Sequence, residues 1–257
     1  MRVSSVVVRL LLCMAVSCGA CRVASAQASR SISGDWNEHK AEEIALQIAR
    51  SWPATAQEHS QEASDKPQQH QVYAFLPFDK ALVQRWLVLV SQSPPDSNCH
   101  ACAPVTGGVM FTRKGDAFEA DYDQAEIVIM GGWGNPPQAR LQELGPGKPT
   151  VVFEVDGMGQ GYAGKTLTFV AEVDGKLRRV LSLQVAASNE AADLPEEQTF
   201  RWDSLLEFDP RVDGGYADIR VKSSGTKEVE VSGTQRVEPY SSTVIYRFED
   251  GIYKPLK

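Results

Sequence analysis

Gly159-Gln160-Gly161-Tyr162-Ala163-Gly164-Lys165-Thr166 leads directly into Leu167-Thr168-Phe169-Val170-Ala171-Glu172-Val173-Asp174-Gly175. The first eight residues satisfy the phosphate-binding pattern G-x-x-x-x-G-K-[ST] and enclose a G-x-G-x-x-G. Both motifs follow a strand, and the apolar run Thr150 to Val155 stands in that place. A phosphate loop must then open a helix whose first N–H groups face the anion. Here Leu167, Phe169, Ala171 and Val173 recur with the period of a strand instead. Asp174-Gly175 then turns the chain back before a crossover helix would fit. No later apolar run, ending in an acid and following a helix, offers a Mg²⁺ ligand. The stretch reads as a glycine-rich hairpin loop with no nucleotide, its glycines permitting positive φ.

The same period-two pattern extends on both sides. Short β-branched and aromatic runs occur at Val72–Leu76, Arg85–Val90, Gly108–Thr112, Phe118–Tyr122, Glu126–Met130, Thr150–Val155 and Leu177–Val185. Further runs are Thr199–Phe208, Tyr216–Val221 and Thr243–Phe248. Gly, Asp, Asn and Pro punctuate them, as in all-β sandwiches and barrels. Asp174-Gly175 and Asp250-Gly251 are hairpin dipeptides between apolar runs, with Lys114-Gly115 a weaker third case. The expected fold is mainly β: an antiparallel β-sandwich-like domain over 72–257, preceded by one amphipathic N-terminal helix.

That helix is expected within residues 27–56. Asp35 stands as N-cap, Trp36, Ile44, Ile48 and Trp52 recur at multiples of four, and Pro53 ends the run. Residues 57–71, rich in Gln, Glu, Ser and His, have little to bury and read as a polar linker. His59 and His70 fall there and read as solvated side chains rather than metal ligands, since no matched ligand set accompanies them. Residues 1–26 read as a secretory signal peptide: Arg2 opens it, an apolar stretch follows, and Ala24-Ser25-Ala26 gives the cleavage pattern. Gly19-Ala20-Cys21 offers a second cut that would leave a lipid anchor on Cys21, although Cys18 stands where that box prefers Leu. The expected location is therefore periplasmic or secreted, with a lipoprotein as the minor alternative.

Of 257 residues, 26 are Lys or Arg and 33 Asp or Glu, a formal charge of −7. Phosphate attraction needs a basic surface, so nucleic acid is excluded as a partner. Losing the leader removes Arg2, Arg9 and Arg22 and deepens the acidic balance. It also leaves two of the five cysteines, Cys99 and Cys102, in Asn98-Cys99-His100-Ala101-Cys102-Ala103-Pro104. Haem attachment needs His after the second Cys, and Ala103 is there. Zinc needs two further ligands, and a thioredoxin-like pair needs a helix that Ala-Pro-Val-Thr-Gly-Gly does not favour. In an oxidising compartment the pair is expected to form a local disulfide.

Cys99–Pro104, Gly159–Tyr162 and the closing Tyr246–Tyr253 together resemble a set of uncharacterised secreted bacterial proteins. The likeness spans most of the mature chain. It implies export and a β fold, and assigns no reaction.

Two further loops are candidate sites. Met130-Gly131-Gly132-Trp133-Gly134-Asn135-Pro136-Pro137 holds a large aromatic among glycines, and Tyr162 lies in the other glycine-rich loop. Loops on a rigid β scaffold commonly carry binding, with Trp and Tyr as anchors, so Trp133 and Tyr162 are expected to form a ligand- or partner-binding edge. The alternative is that Trp133 folds back as a plug over the core. Asp209, Asp213 and Asp218 surround a Gly-Gly turn and resemble a calcium loop, although Arg211 interrupts them and a plain Asp/Gly turn is favoured. No nucleophile-elbow pattern is present. The expected function is an exported, non-catalytic binding module without cofactor, its partner another envelope protein or an extracellular ligand. The alternatives are a thiol–disulfide protein using Cys99 and Cys102 and a calcium-stabilised adhesion-type module.

Overall fold

The computed structural model describes residues 30–53, 68–80, 82–94, 102–231 and 233–256. The expected signal peptide, the anchor at Cys21, His59, Cys99, His100 and most of the linker lie outside the described residues. Strand β1 (Ser31–Ser33) and helix α1 (Glu38–Ala49) come first. Four strands follow: β2 (Gln69–Pro77), β3 (Arg85–Ser93), β4 (Val105–Lys114) and β5 (Ala117–Ile129). The second half of the chain is β6 (Gln138–Glu143), β7 (Pro149–Gly159), β8 (Tyr162–Val173) and β9 (Lys176–Ser188), then β10 (Arg201–Asp209), β11 (Asp218–Val231), β12 (Thr234–Glu249) and β13 (Ile252–Pro255).

All the strand pairings are antiparallel. One sheet has five strands in the order β1-β5-β4-β3-β2; the other is an eight-strand meander from β6 to β13. The protein is thus mainly β with a single α-helix among the described residues, as expected. The expected sandwich is corrected, because the sheets form a half-barrel and an open sheet. β9 and β10 pair only through Arg201–Asp203 and Ala186–Ser188. Among the described residues no helix is long and apolar enough to cross a membrane.

The two Asp-Gly hairpin dipeptides turn as their residues dictate, and Gln160-Gly161 turns likewise, whereas at Lys114-Gly115 only Gly115 has positive φ. Gln160 and Gly161 have φ of 52° and 84°, Asp174 and Gly175 of 51° and 73°, and Asp250 and Gly251 of 53° and 83°. Two successive positive φ values match strand twist in a two-residue hairpin. The phosphate-loop lookalike is therefore the tip of β7–β8, where Gly159 pairs with Tyr162.

Helix α1 begins two residues later than expected. Asn37, not Asp35, is the N-cap, its Oδ1 accepting from the Lys40 N–H at 2.9 Å, within the first helical turn. Ala41, Ile44, Ala45, Ile48 and Ala49 pack on Val88, Val90, Val109 and Phe111 of the five-stranded sheet. Trp36 and Trp52 flank the helix rather than belong to it. Trp36 stacks on Trp86 with centroids 4.7 Å apart, and the Trp52 indole donates to Asp123 Oδ2 at 2.9 Å.

The opposite face of that sheet, with Leu87, Leu89 and Met110, packs on Val151, Phe153 and Val170 of the meander. Both faces of β3 are covered, which is why Trp86-Leu87-Val88-Leu89-Val90 reads as an unbroken apolar run. Two polar clamps join the sheets. The Gln124 side chain accepts from the Leu177 N–H at 3.2 Å and donates to the Leu177 carbonyl at 3.0 Å. Glu172 binds Arg85 at 2.6 Å and Lys80 at 3.1 Å. A third cluster, with Val152, Phe169, Val185, Ile219 and Tyr253, lies within the eight-strand meander.

Candidate functional site

Trp133 projects from the turn that joins β5 to β6. Gly132 and Asn135 exchange backbone hydrogen bonds of 3.2 and 2.9 Å, and the Gly134 N–H donates to the Cys102 carbonyl at 2.8 Å. A side chain on Gly131 would meet the Asn135 carbonyl oxygen at 2.1 Å, so glycine is required there. Trp133 itself adopts φ 55°, a left-handed conformation that costs a bulky residue of order 1–3 kcal/mol. The side chain is nevertheless 58% exposed. The plug reading is therefore corrected: the loop spends strain to hold an indole outward.

Trp133 lines a groove of about 500 Å³ with Pro136, Pro137, Glu154, Val155 and Met158. Met158 is 67% exposed. A neighbouring groove of about 450 Å³ shares Asp156, Gly157 and Met158 and continues across β8, β9 and β10. Its residues fall in three cross-strand rows: Asp156-Lys165-Ala186-Asp203, Gly157-Gly164-Ala187-Trp202 and Met158-Ala163-Ser188-Arg201. Alternate rows share a face. The first and third rows therefore lie on one face and the middle row, with Trp202, on the other.

The lysine of the motif lookalike belongs to this surface. Lys165 Nζ is held by Glu154 and, at 3.5 Å, by Asp156. The Glu154 hydrogen bond, outweighing the small opposing effect of burial, raises its pKa above the ordinary lysine value. Across the groove Arg201 pairs with Glu190 at 3.3 Å.

Tyr162 is also exposed, at 46%, but does not share the Trp133 groove. It sits at the β7–β8 tip, its ring 6.4 Å from that of Phe200. Gly161 is pressed there against the Ala191-Ala192 backbone, where a Cβ would come within 2.2 Å of Ala192 Cα. The expected aromatic edge is thus two separate features. Met158 and the outer end of β7 were not singled out in the sequence; their signal was the Pro136-Pro137 pair standing ahead of a strand.

Cys102 is disulfide-bonded; Cys99, its expected partner, lies outside the described residues. The calcium-loop acids are engaged by arginines. Arg211 holds Asp213 in a fork of 2.6 and 3.1 Å; Arg247 holds Asp218 at 2.6 Å and Arg220 holds Asp209 at 2.8 Å. The Arg211 hydrogen bond, with the Gly215 N–H, draws the Asp213 carboxyl down to about 2. Among the described residues no group of three or more His, Cys, Asp or Glu is placed to hold a metal ion. His70 is part-buried in β2, not in a linker, and burial followed by the nearby Arg50 charge lowers its pKa.

No family model, no curated protein and no solved structure matches this chain.

Proposed function

We propose that the protein is an exported, non-catalytic β module that binds another cell-envelope component or an extracellular ligand through the surface around Trp133. One observation carries the reading: a bulky residue is kept in a strained left-handed conformation with its indole outward, beside an exposed Met158 and two contiguous grooves. Observed backbone strain concentrates where a side chain is aimed at a ligand, and indoles anchor interfaces more often than most side chains. Export is supported by the leader pattern of residues 1–26.

The test pairs Trp133→Ala with the wild-type mature chain in affinity capture from the native envelope fraction. An exposed side chain contributes little to stability, so the thermal midpoint should stay within the shift expected for about 0.5 kcal/mol. Loss of a captured component at unchanged stability supports the reading. Equal capture by both proteins removes Trp133 from it.

A further inference from the structure

Three turns at one end of the five-stranded sheet meet around a small cavity. Gly34, between β1 and α1, donates its N–H to the Asp116 carbonyl at 2.7 Å. Arg113, near the end of β4, ties the same two turns from the other side. Its Nη1 donates to the Gly34 carbonyl at 3.0 Å and its Nε to the Gly115 carbonyl at 2.9 Å. In the β2–β3 turn, Asp79 Oδ1 accepts from the Arg85 N–H at 2.9 Å. The cavity that these turns enclose measures about 240 Å³. Its apolar wall is the half-buried pair Trp36 and Trp86, stacked within 5° of parallel, with Phe118 edge-on to Trp36.

The polar groups of the cavity are of both signs, and the chain uses them only in part. Among the described residues, the side chains of Asp35 and Gln84 have no partner. Asp79 keeps Oδ2, and Arg113 keeps Nη2, beyond the bonds above. A cation seated here would meet the Arg113 guanidinium, which lies over the Phe118 ring at 5.0 Å. An anion would meet two carboxylates. A neutral ligand avoids both penalties if it donates to the carboxylates and accepts from the guanidinium, the Gln84 amide being able to do either. Its other requirement is an apolar face for the indoles. Small-molecule pockets usually measure roughly 300–1,000 Å³, and this one is smaller, so its occupant is about one ring in size.

We infer that this cavity binds one neutral hexopyranose ring, its C–H face against the Trp36–Trp86 pair and its hydroxyls shared among Asp35, Asp79, Gln84 and Arg113. A sugar hydroxyl both donates and accepts, so a single ring can serve carboxylate, amide and guanidinium at once. The ring's C–H groups carry slight positive charge and suit the negative face of an indole. Holding the walls by main-chain bonds sets the polar groups in place before the ligand arrives, which lowers the cost of ordering them. The cavity shares no residue with the Trp133 groove, so the inference stands apart from the function proposed for that surface.

The experiment titrates the full chain with the methyl glycosides of glucose, galactose, mannose and N-acetylglucosamine, and separately with tetramethylammonium and inorganic phosphate. The indole N–H signals of the five tryptophans report binding by NMR. At least one sugar should saturate with a Kd in the millimolar range, the order that so small a ligand allows. It should move the Trp36 and Trp86 signals and leave those of Trp133 and Trp202 in place. Asp35→Ala and Gln84→Ala remove side chains that make no contact within the described chain, so the thermal midpoint should hold. The first should weaken the sugar about tenfold and the second several-fold. Trp133→Ala should bind it as wild type does. A disaccharide ending in the same ring, binding more tightly than the methyl glycoside, assigns the ring to a glycan end, and equal affinity assigns it to the free sugar. Three results overturn the inference: no saturation by any of the four sugars, saturation by tetramethylammonium or phosphate in their place, or full binding by both Asp35→Ala and Gln84→Ala. Loss of sugar binding in Trp133→Ala also overturns it, by moving the ring to the other surface.

Discussion

Gly107 shows how narrowly a single position can be set. A Cβ there would lie 2.4 Å from the Trp52 ring and 2.7 Å from the Gln124 and Ala125 carbonyl oxygens. Trp52 is held in turn by its hydrogen bond to Asp123, so neither neighbour can retreat freely. Gly107→Ala should therefore destabilise by about 1–3 kcal/mol, the range for overpacking a filled site; an unchanged urea midpoint would show that Trp52 yields. Glu172 links stability to pH. Its burial alone would raise its pKa, but the hydrogen bonds and charges of Arg85 and Lys80 outweigh burial and hold it below the ordinary carboxylate value. A folded pKa below the unfolded one contributes stability in full above the ordinary carboxylate range, and that contribution is lost as the pH falls toward the folded value. Glu172→Gln should accordingly melt lower than wild type at neutral pH, with the gap narrowing on acidification. A gap independent of pH would remove Glu172 from the acid response.

Elements were legible where the local chemistry was decisive. Asp174-Gly175 and Asp250-Gly251 turn as their residues demand, and the alternation after Thr166 distinguished strand from helix. β6 escaped notice because Gln138-Ala139-Arg140-Leu141-Gln142-Glu143 is an edge strand, mostly polar and half-solvated. The outer half of β12 escaped for the same reason: Gln235 and Arg236 belong to a two-stranded ribbon that buries little. Phe118–Tyr122 and Glu126–Met130 looked like two strands but form one, because register shifts against β4 let β5 bend without breaking. Gln124, within that strand, gave no sign of its use. Its amide pairs with both main-chain groups of Leu177, supplying to β9 what a neighbouring strand would otherwise supply. Gln124→Ala leaves the Leu177 C=O without that partner and its N–H with only the Tyr122 hydroxyl, at 3.4 Å, and should cost about 1–3 kcal/mol. Faster hydrogen exchange at Leu177 would localise the loss, and unchanged exchange there would show that water takes over.

At the scale of the whole molecule, period-two patterning specifies which residues are buried but not which sheet covers them. Val88 and Leu89 look equivalent in sequence, yet one meets helix α1 and the other meets the meander. The short pairing of β9 with β10, three positions long, is equally silent in the sequence. The site was half legible: glycines around Trp133 marked an exposed aromatic, whereas the groove beside it comes from two strands of unequal reach. If Pro136 and Pro137 are what stops β6, restoring their N–H groups should let it extend along β7. In the double variant Pro136→Thr, Pro137→Thr, two β-branched residues regain donors beside β7. The amide of Asp156 should then exchange more slowly, at an equal or higher thermal midpoint. Unchanged exchange would mean that the turn tied between Gly132 and Asn135, not the prolines, sets where β6 begins.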